Sequence, residues 1–302
     1  MKINLPYILA ILGFFSFNSC DYIADPFPET NTSAVDTTSN GQDDFTAPDL
    51  STLKRRILVE DYTGHTCGNC PSAAVTARGL KSTYGSQVYI MAVHAGFFAE
   101  PYGGGSKFTT DFRTTAGEAW NTDFSVIGNP VGMVSRVEYN SETVLGPGAW
   151  APAITQIIDK IPLFDVQMQL DYDASNNSIS ISIGTYITND ITGNYNIIVC
   201  ILEDSIVDWQ KNYAPPGGDP AYPVADVETY LHEHVLRDNI NGNYGESIIS
   251  GSEVAETWII KNYSYNLDNL WDSKNCIVLA FVADATTKEI LQVDEIHVIE
   301  EE

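Results

Sequence analysis

Residues 64–71, which read GHTCGNCP, decide the fold of the first half of the chain. The apolar run ILV at 57–59 stands before them and predicts a buried parallel strand. After them, SAAVTARGL at 72–80 predicts a helix that begins beside the second cysteine, and VYIMAV at 88–93 predicts another buried strand. A strand, a C-x-x-C pair, a helix and a further strand in this order are typical of a thioredoxin-like redox domain.

The two cysteines of this stretch, Cys67 and Cys70, are candidates for thiol–disulfide chemistry. Free N–H groups at a helix start favour negative charge, and such a position lowers a cysteine pKa from ~8.5 into roughly the 3.5–7.5 range. We therefore predict that Cys67 is the nucleophile, that Cys70 resolves a mixed disulfide, and that the two cysteines can form a disulfide. Asp61 stands where thioredoxins keep a buried acid that helps move the thiol proton, and its neighbour Glu60 is the alternative.

A thioredoxin-like domain also needs a strand that begins at a cis-proline facing the cysteine pair. The segment 124–134, FSVIGNPVGMV, places Pro130 directly before an apolar strand, so we predict that Pro130 belongs to the catalytic site. The backbone of Asn129 would then be placed to pair with an extended peptide or envelope protein substrate. Residues 150–161 predict the closing helix, and residues 93–130 predict an inserted excursion beside the site.

Histidines close to the cysteine pair favour a second kind of site. His65 lies within the quoted stretch, and His94 follows the second strand. Two thiolates and one imidazole suit Cu(I) or Zn, so a copper- or zinc-handling protein that uses Cys67, Cys70 and His94 is the alternative function, with His65 as a further candidate ligand. No second C-x-x-C completes a four-cysteine zinc site, and no cofactor is predicted from the motifs.

From residue 163 onward the sequence changes to the alternation of polar and apolar residues that antiparallel strands show. The runs DVQMQLD at 165–171 and SISISI at 178–183 are examples, and several such strands predict an antiparallel β-sandwich. The excursion that begins at Trp209 and ends at Asn243 is the least regular part of this half.

Three features of the second half leave alternatives open. Cys200 and Cys276 lie in apolar strands, where a disulfide between them and two buried free thiols are both compatible with the sequence. His232 and His234 could share a strand face and ligate a metal, although outward-facing polar residues are the simpler interpretation. The formal net charge of −25, concentrated in this half, indicates a solvated acidic surface and excludes nucleic-acid binding.

The N-terminal region is typical of an export and anchoring signal. Lys2 precedes an apolar run at 5–17, which is shorter than the ~20 residues of a membrane-spanning helix, and Cys20 follows it after a small residue. We predict a lipoprotein signal peptide over 1–19 and an acylated Cys20 that attaches the chain to a lipid bilayer. The polar segment over 20–51 predicts a flexible tether.

The sequence resembles the outer-membrane-protein-28 family, lipoproteins of Bacteroidetes-type Gram-negative bacteria. The likeness begins at the Cys20 signal and at VEDYTGHTCGNCP (59–71), and continues through LHEHVLR (231–237) to VAD (282–284). It implies a thioredoxin-like domain over 52–162, an immunoglobulin-like β-sandwich over 163–302, and a location at the outer membrane. It does not imply a settled activity.

Three functions therefore stand as expectations. The first is a thiol–disulfide exchange or redox-sensing protein, a candidate oxidoreductase acting through Cys67 and Cys70. The second is the metal-handling protein described above. The third is a non-enzymatic surface or adhesion protein, in which the acidic second half binds a partner.

Overall fold

A computed structural model describes residues 45–103, 105, 107–213 and 217–300. The predicted signal peptide, Cys20 and the first part of the tether lie outside the described residues. Within the described part, no helix combines the length and the apolar character that crossing a membrane requires.

The described residues form thirteen strands, arranged in three sheets, and three α-helices. In chain order they are β1 Ile57–Thr63, α1 Cys70–Tyr84, β2 Val88–His94, α2 Thr115–Asp123, β3 Val131–Val134, α3 Trp150–Ile157, β4 Phe164–Asp173, β5 Ser178–Ile187, β6 Ile191–Glu203, β7 Ile206–Lys211, β8 Asp226–His232, β9 Val235–Asn239, β10 Glu246–Glu253, β11 Thr257–Asn266, β12 Cys276–Asp284 and β13 Ile290–His297.

The first half follows the predicted order of elements. β1 pairs with β2 in parallel and with β3 in antiparallel orientation, so the sheet order here is β2-β1-β3. One face of these strands packs under α1 and α3, because residues such as Ile57, Val59, Ala73, Ala77 and Ile154 share one core. The inserted segment contains α2, and α3 ends four residues before the predicted end at 161.

The sheet of the first half continues into the second half. β9 pairs in parallel with β2 through Ala92 and Val235, and in antiparallel orientation with β6. The full order is β13-β12-β6-β9-β2-β1-β3, with β10 also paired to β6. The other face of β1 shares a core with strands β6 and β12, since Leu58, Ile198 and Phe281 belong to one buried cluster. The domain boundary at residue 162 stays a prediction. Strands from both sides of it belong to the same sheet.

The second half is built from antiparallel strands, as its alternating pattern predicts. β4, β5 and β11 form a separate three-stranded sheet. Its inward side chains, among them Phe164 and Ile181, share a buried core with the face of β6 and β12 that carries Val199 and Val278. The protein is thus mostly β-sheet, in several sheets.

The segment predicted to be least regular contains strands after all. β7 and β8 form a two-stranded antiparallel hairpin of their own, and β9 lies in the large sheet. Alternation is weak here because Asp226, Glu228 and the histidines interrupt the apolar residues.

Candidate functional site

The cysteine loop, residues 64–69, connects β1 to α1. Gly64 is required where the loop leaves β1, because a Cβ there would come within 2.3 Å of the Phe98 carbonyl group. Cys67 and Cys70 form the predicted disulfide, with Cys70 at the start of α1 and Pro71 in its first turn. Each of the two residues is only 2% exposed.

Asp61 lies directly under this helix. Residues alternate between the two faces of a strand, so Asp61 shares the α1 side of β1 with Ile57 and Val59. It is 3% exposed, and its Oδ1 has no hydrogen-bond partner among the residues that the structure describes. Burial raises the pKa of Asp61 to about 7. At neutral pH this carboxyl can therefore both give and take a proton.

Glu60, the alternative acid, has a different environment. It points to the opposite face of β1 and pairs with Arg136 through two hydrogen bonds of 2.9 and 2.7 Å. Both side chains are fully buried. Because this ion pair satisfies the Glu60 carboxylate, Asp61 is the acid left available to the cysteine pair.

Pro130 follows the cis peptide bond Asn129–Pro130, as the sequence predicts, and stands just before β3. The pairing of Val131 with Tyr62 puts Pro130 next to the end of β1, where the cysteine loop begins. Asn129 itself is half-buried.

A cavity of about 210 Å³ lies behind the disulfide. Asp61 and Cys70 line it together with His94 and His232. Arg78 and Lys81 of α1 and Gln210 of β7 also line it. The cavity therefore places the unpaired carboxyl of Asp61 and the second cysteine around the same small space.

Three histidines, His65, His94 and His232, lie together beside this cavity. Ring centroids are 6.5 Å apart for His65 and His94, and 5.6 Å apart for His94 and His232. Phe112 packs on all three rings, at 6.1, 4.9 and 5.2 Å respectively. Each ring keeps one buried nitrogen that has no hydrogen-bond partner within the described part of the chain.

Burial lowers the pKa of each of these histidines. The pKa of His232 falls to about 4, and that of His94 lies well below its usual value. All three are therefore neutral at neutral pH. The sequence placed His65 and His94 near the cysteines, but it did not connect His232 with them.

The metal-handling alternative needs at least three donor groups around one point. Across the described residues, no three His, Cys, Asp or Glu side chains are placed to hold a metal ion. Phe112 lies against all three imidazoles of the cluster. His234, two residues after His232, turns away from it and pairs with Asp204 through a 2.9 Å contact between Nδ1 and Oδ1.

Residues of the β7–β8 hairpin cover the cysteine loop, which the sequence did not predict. The Lys211 N–H donates to the His65 carbonyl, and the Tyr213 N–H donates to the Gly68 carbonyl, each at 2.8 Å. The Gln210 side chain donates to the Cys67 carbonyl at 3.0 Å. The sequence shows only a long segment rich in aromatic residues and prolines, from Trp209 to Asn243, and this composition does not reveal where the segment packs.

The disulfide left open between Cys200 and Cys276 is not formed, and both thiols are free and buried among the described cysteines. The cysteines lie on paired strands, but Cys200 is opposite Leu279 and Cys276 is opposite Glu203. They also face opposite sides of the sheet, because Cys276 belongs to the core under β4 and β5 whereas Cys200 belongs to the core under β1. Burial raises the pKa of both thiols.

Comparison with known proteins gives a family and a fold. The family model for outer membrane protein Omp28 matches residues 117–302. Protein AGR_C_4864 from Agrobacterium tumefaciens has a similar structure, with a TM-score of 0.51 and 12% identity over 83% of this chain and 98% of that one. A domain of the outer membrane lipoprotein Omp28 from Porphyromonas gingivalis aligns over 46% of this chain and 90% of its own, with 18% identity and a TM-score of 0.30. No curated protein matches the sequence.

Proposed function

The chain belongs to the outer membrane protein Omp28 family, and we propose that it acts there as a lipid-anchored protein that exchanges thiols and disulfides through Cys67 and Cys70. The family match begins at residue 117, after the cysteine pair, so the proposal on chemistry rests on the site itself. The outer membrane is the location of the family. The attachment is proposed to be an acyl chain on Cys20.

One observation carries the proposal. A C-x-x-C disulfide stands at the first turn of a helix. Its second cysteine shares a cavity with Asp61, a buried carboxyl whose Oδ1 has no hydrogen-bond partner among the described residues. The first turn of α1 contains no acidic residue that would oppose a thiolate. The partial positive charge at the N-terminal end of α1 favours the thiolate of Cys67 once the disulfide is reduced.

The exchange then has two steps. The Cys67 thiolate attacks one sulfur of a substrate disulfide, whose other sulfur leaves as a thiolate and takes up a proton. Cys70 gives its proton to the Asp61 carboxylate and attacks the Cys67 sulfur, which closes the Cys67–Cys70 disulfide and releases the second substrate sulfur. Two electrons pass from the cysteine pair to the substrate. The reverse sequence oxidises a substrate dithiol.

The fold supports this chemistry. We propose residues 52–162 as a thioredoxin-like domain. The order β1, cysteine pair, α1, β2, then a cis-proline before β3, and the sheet order β2-β1-β3, support that proposal. We propose the second half, 163–302, as an immunoglobulin-like β-sandwich. Its antiparallel strands and shared core support that proposal.

Trapping of a mixed disulfide tests the function. In the Cys70→Ser variant, a mixed disulfide on Cys67 cannot be resolved, so we expect a disulfide-containing protein such as scrambled ribonuclease to remain linked to the chain. The Cys67→Ser variant is the matched control and should link to nothing. If Cys70→Ser captures no more than Cys67→Ser after incubation long enough for the buried cysteines to become accessible, the redox proposal is wrong. The role as a surface or adhesion protein then becomes the better hypothesis.

A further inference from the structure

The disulfide that would react is enclosed. Cys67 and Cys70 are each 2% exposed, although exchange needs in-line access to one of the two sulfurs. Residues 206–213, which contain β7, and residues 217–232, which contain β8, cover them; we call these two described stretches the lid.

The lid backbone donates two hydrogen bonds to the cysteine loop. Lys211 and Tyr213, two residues apart, donate their N–H groups to the carbonyls of His65 and Gly68 at 2.8 Å. Donors at positions i and i+2 are those that an extended segment presents along one edge. The lid backbone therefore occupies an edge that could equally accept an extended polypeptide.

Two side chains of the lid also contact the cysteine loop. Gln210, itself 2% exposed, donates to the carbonyls of Gly64 at 3.3 Å and Cys67 at 3.0 Å. The ring of Tyr213 lies directly on Gly68, since a Cβ at Gly68 would meet ring carbons at 2.4 Å. Only glycine at position 68 leaves room for the Tyr213 ring in this arrangement.

An ion pair fastens the lid to the cysteine helix. The Arg78 guanidinium of α1 lies 2.7 Å from Asp219, whose carboxylate is 2% exposed. Asn212 connects this point to the rest of the lid, because it exchanges hydrogen bonds with the backbone of Asp219 and donates to the Tyr222 carbonyl.

The lid is a separate structural unit. β7 and β8 pair only with each other in the described structure and form no ladder with the eight-stranded sheet. An isolated two-stranded hairpin is marginally stable, so its position depends on contacts with the body. Besides those above, these include the Lys107–Asp226 ion pair and the packing of His232 on Phe112. Its displacement would break no strand pairing of the large sheet.

We propose that the lid occupies the binding edge for an extended polypeptide substrate and must open before the cysteine pair can react. The inference rests on the proposed function and adds to it the class of substrate and the control of access. A substrate segment would replace Lys211 and Tyr213 on the His65 and Gly68 carbonyls. The closed state keeps the disulfide from other thiols of the envelope.

The test is the rate at which dithiothreitol reduces the Cys67–Cys70 disulfide in the full chain under native conditions. Asp219→Asn removes the buried charge that holds Arg78, and Gln210→Ala removes the hydrogen bonds to the loop. We expect each variant to be reduced about ten to a hundred times faster than the unchanged protein, as loss of such bonds implies. Glu289→Gln, which removes the partner of Arg55 at the far end of β1, is the matched control and should react at the unchanged rate.

Hydrogen exchange at the Lys211 and Tyr213 amides supplies a second measurement. It should accelerate in the two lid variants together with reduction, while amides of β1 and β12 keep their protection, which also shows that the variants are folded. Equal reduction rates in all four proteins would overturn the lid proposal and leave the redox function standing. The opposite combination is faster reduction of the lid variants together with no trapping by Cys70→Ser in the Asp219→Asn background. That result would support the lid proposal and contradict the redox function.

Discussion

At the scale of single residues, the site depends on two neighbouring acids with opposite environments. Glu60 is neutralised by Arg136 on one face of β1, and Asp61 is buried on the other face under the cysteine helix. A buried carboxyl without a partner costs stability, and such groups are typical of functional sites. Asp61 is therefore expected to lower the stability of the folded chain while it serves the chemistry of the cysteine pair.

The pH dependence of stability should report Asp61. Because burial raises its pKa from 3.8 to about 7, its contribution to stability is full below pH 3.8 and is lost as pH rises toward 7. Asn at position 61 does not titrate. Between pH 4 and pH 8 the free energy of unfolding of Asp61→Asn should therefore rise by roughly 2–4 kcal/mol relative to that of the unchanged protein, at ~1.4 kcal/mol per pKa unit.

Urea unfolding at the two pH values measures this difference. Asp171→Asn, at an exposed position of β4, is the control and should follow the unchanged protein. A constant difference between Asp61→Asn and the unchanged protein across this range would contradict the raised pKa.

Glu60 should behave as a structural residue. Glu60→Gln leaves the fully buried Arg136 without its partner charge, so we expect a loss of about 3–5 kcal/mol in the free energy of unfolding. Glu295→Gln breaks the half-exposed pair with Lys81 and should cost about 1 kcal/mol or less. Equal losses in the two variants, measured by urea unfolding at pH 7, would show that the buried Glu60–Arg136 pair matters no more to stability than a partly exposed pair.

At the scale of elements, the lid contributes His232 to the cluster behind the disulfide. Burial lowers the pKa of His232 to about 4; the Asp208 charge acts against this shift, and His65 acts with it. The neutral ring is favoured in the folded chain, so stability is present above pH 6.5 and is lost as pH falls toward 4.

His232→Gln should remove that loss. We expect acidification from pH 7 to pH 4 to destabilise the unchanged protein by roughly 3 kcal/mol more than the variant, at ~1.4 kcal/mol per pKa unit. His297→Gln, at an exposed position in β13, is the control and should show the full acid loss. Identical acid profiles for His232→Gln and the unchanged protein would rule out His232 as the titrating group.

The sequence predicted the elements that carry a strong local signal. β1, α1, β2 and the strand after Pro130 followed from apolar runs, the helix start at the cysteines and the proline position. β7, β8 and β9 were missed because their alternation is broken by charges and histidines. Their structure depends on contacts with the cysteine loop and with β2. These partners are distant in sequence, so a local sequence pattern cannot predict the contacts.

At the scale of the whole molecule, a single sheet joins both halves of the chain. The Ala92 N–H donates to the His234 carbonyl at 2.8 Å, and β9 continues the sheet to β6. Leu58 and Phe281, from either side of residue 162, lie in one core. The boundary at residue 162 is predicted from a change of pattern and from the family resemblance, and periodicity alone does not reveal pairing between distant strands.

We therefore expect the described body to unfold as one unit. Native-state hydrogen exchange should give similar opening free energies for β1 in the first half and β12 in the second, since the two strands share a core. Markedly lower protection of β1 than of β12 would indicate that the two halves unfold separately and would favour the boundary at residue 162.

The central claim is tested most directly by equilibrating the full chain with glutathione buffers and measuring the oxidised fraction of Cys67 and Cys70 by mass spectrometry. Incubation must be long enough for the lid to open. We expect one reversible two-electron transition with a midpoint above about −300 mV, because a thiolate at a helix start favours the reduced pair. A pair that stays oxidised below that potential, as structural disulfides do, or one that is lost irreversibly on reduction, would contradict it.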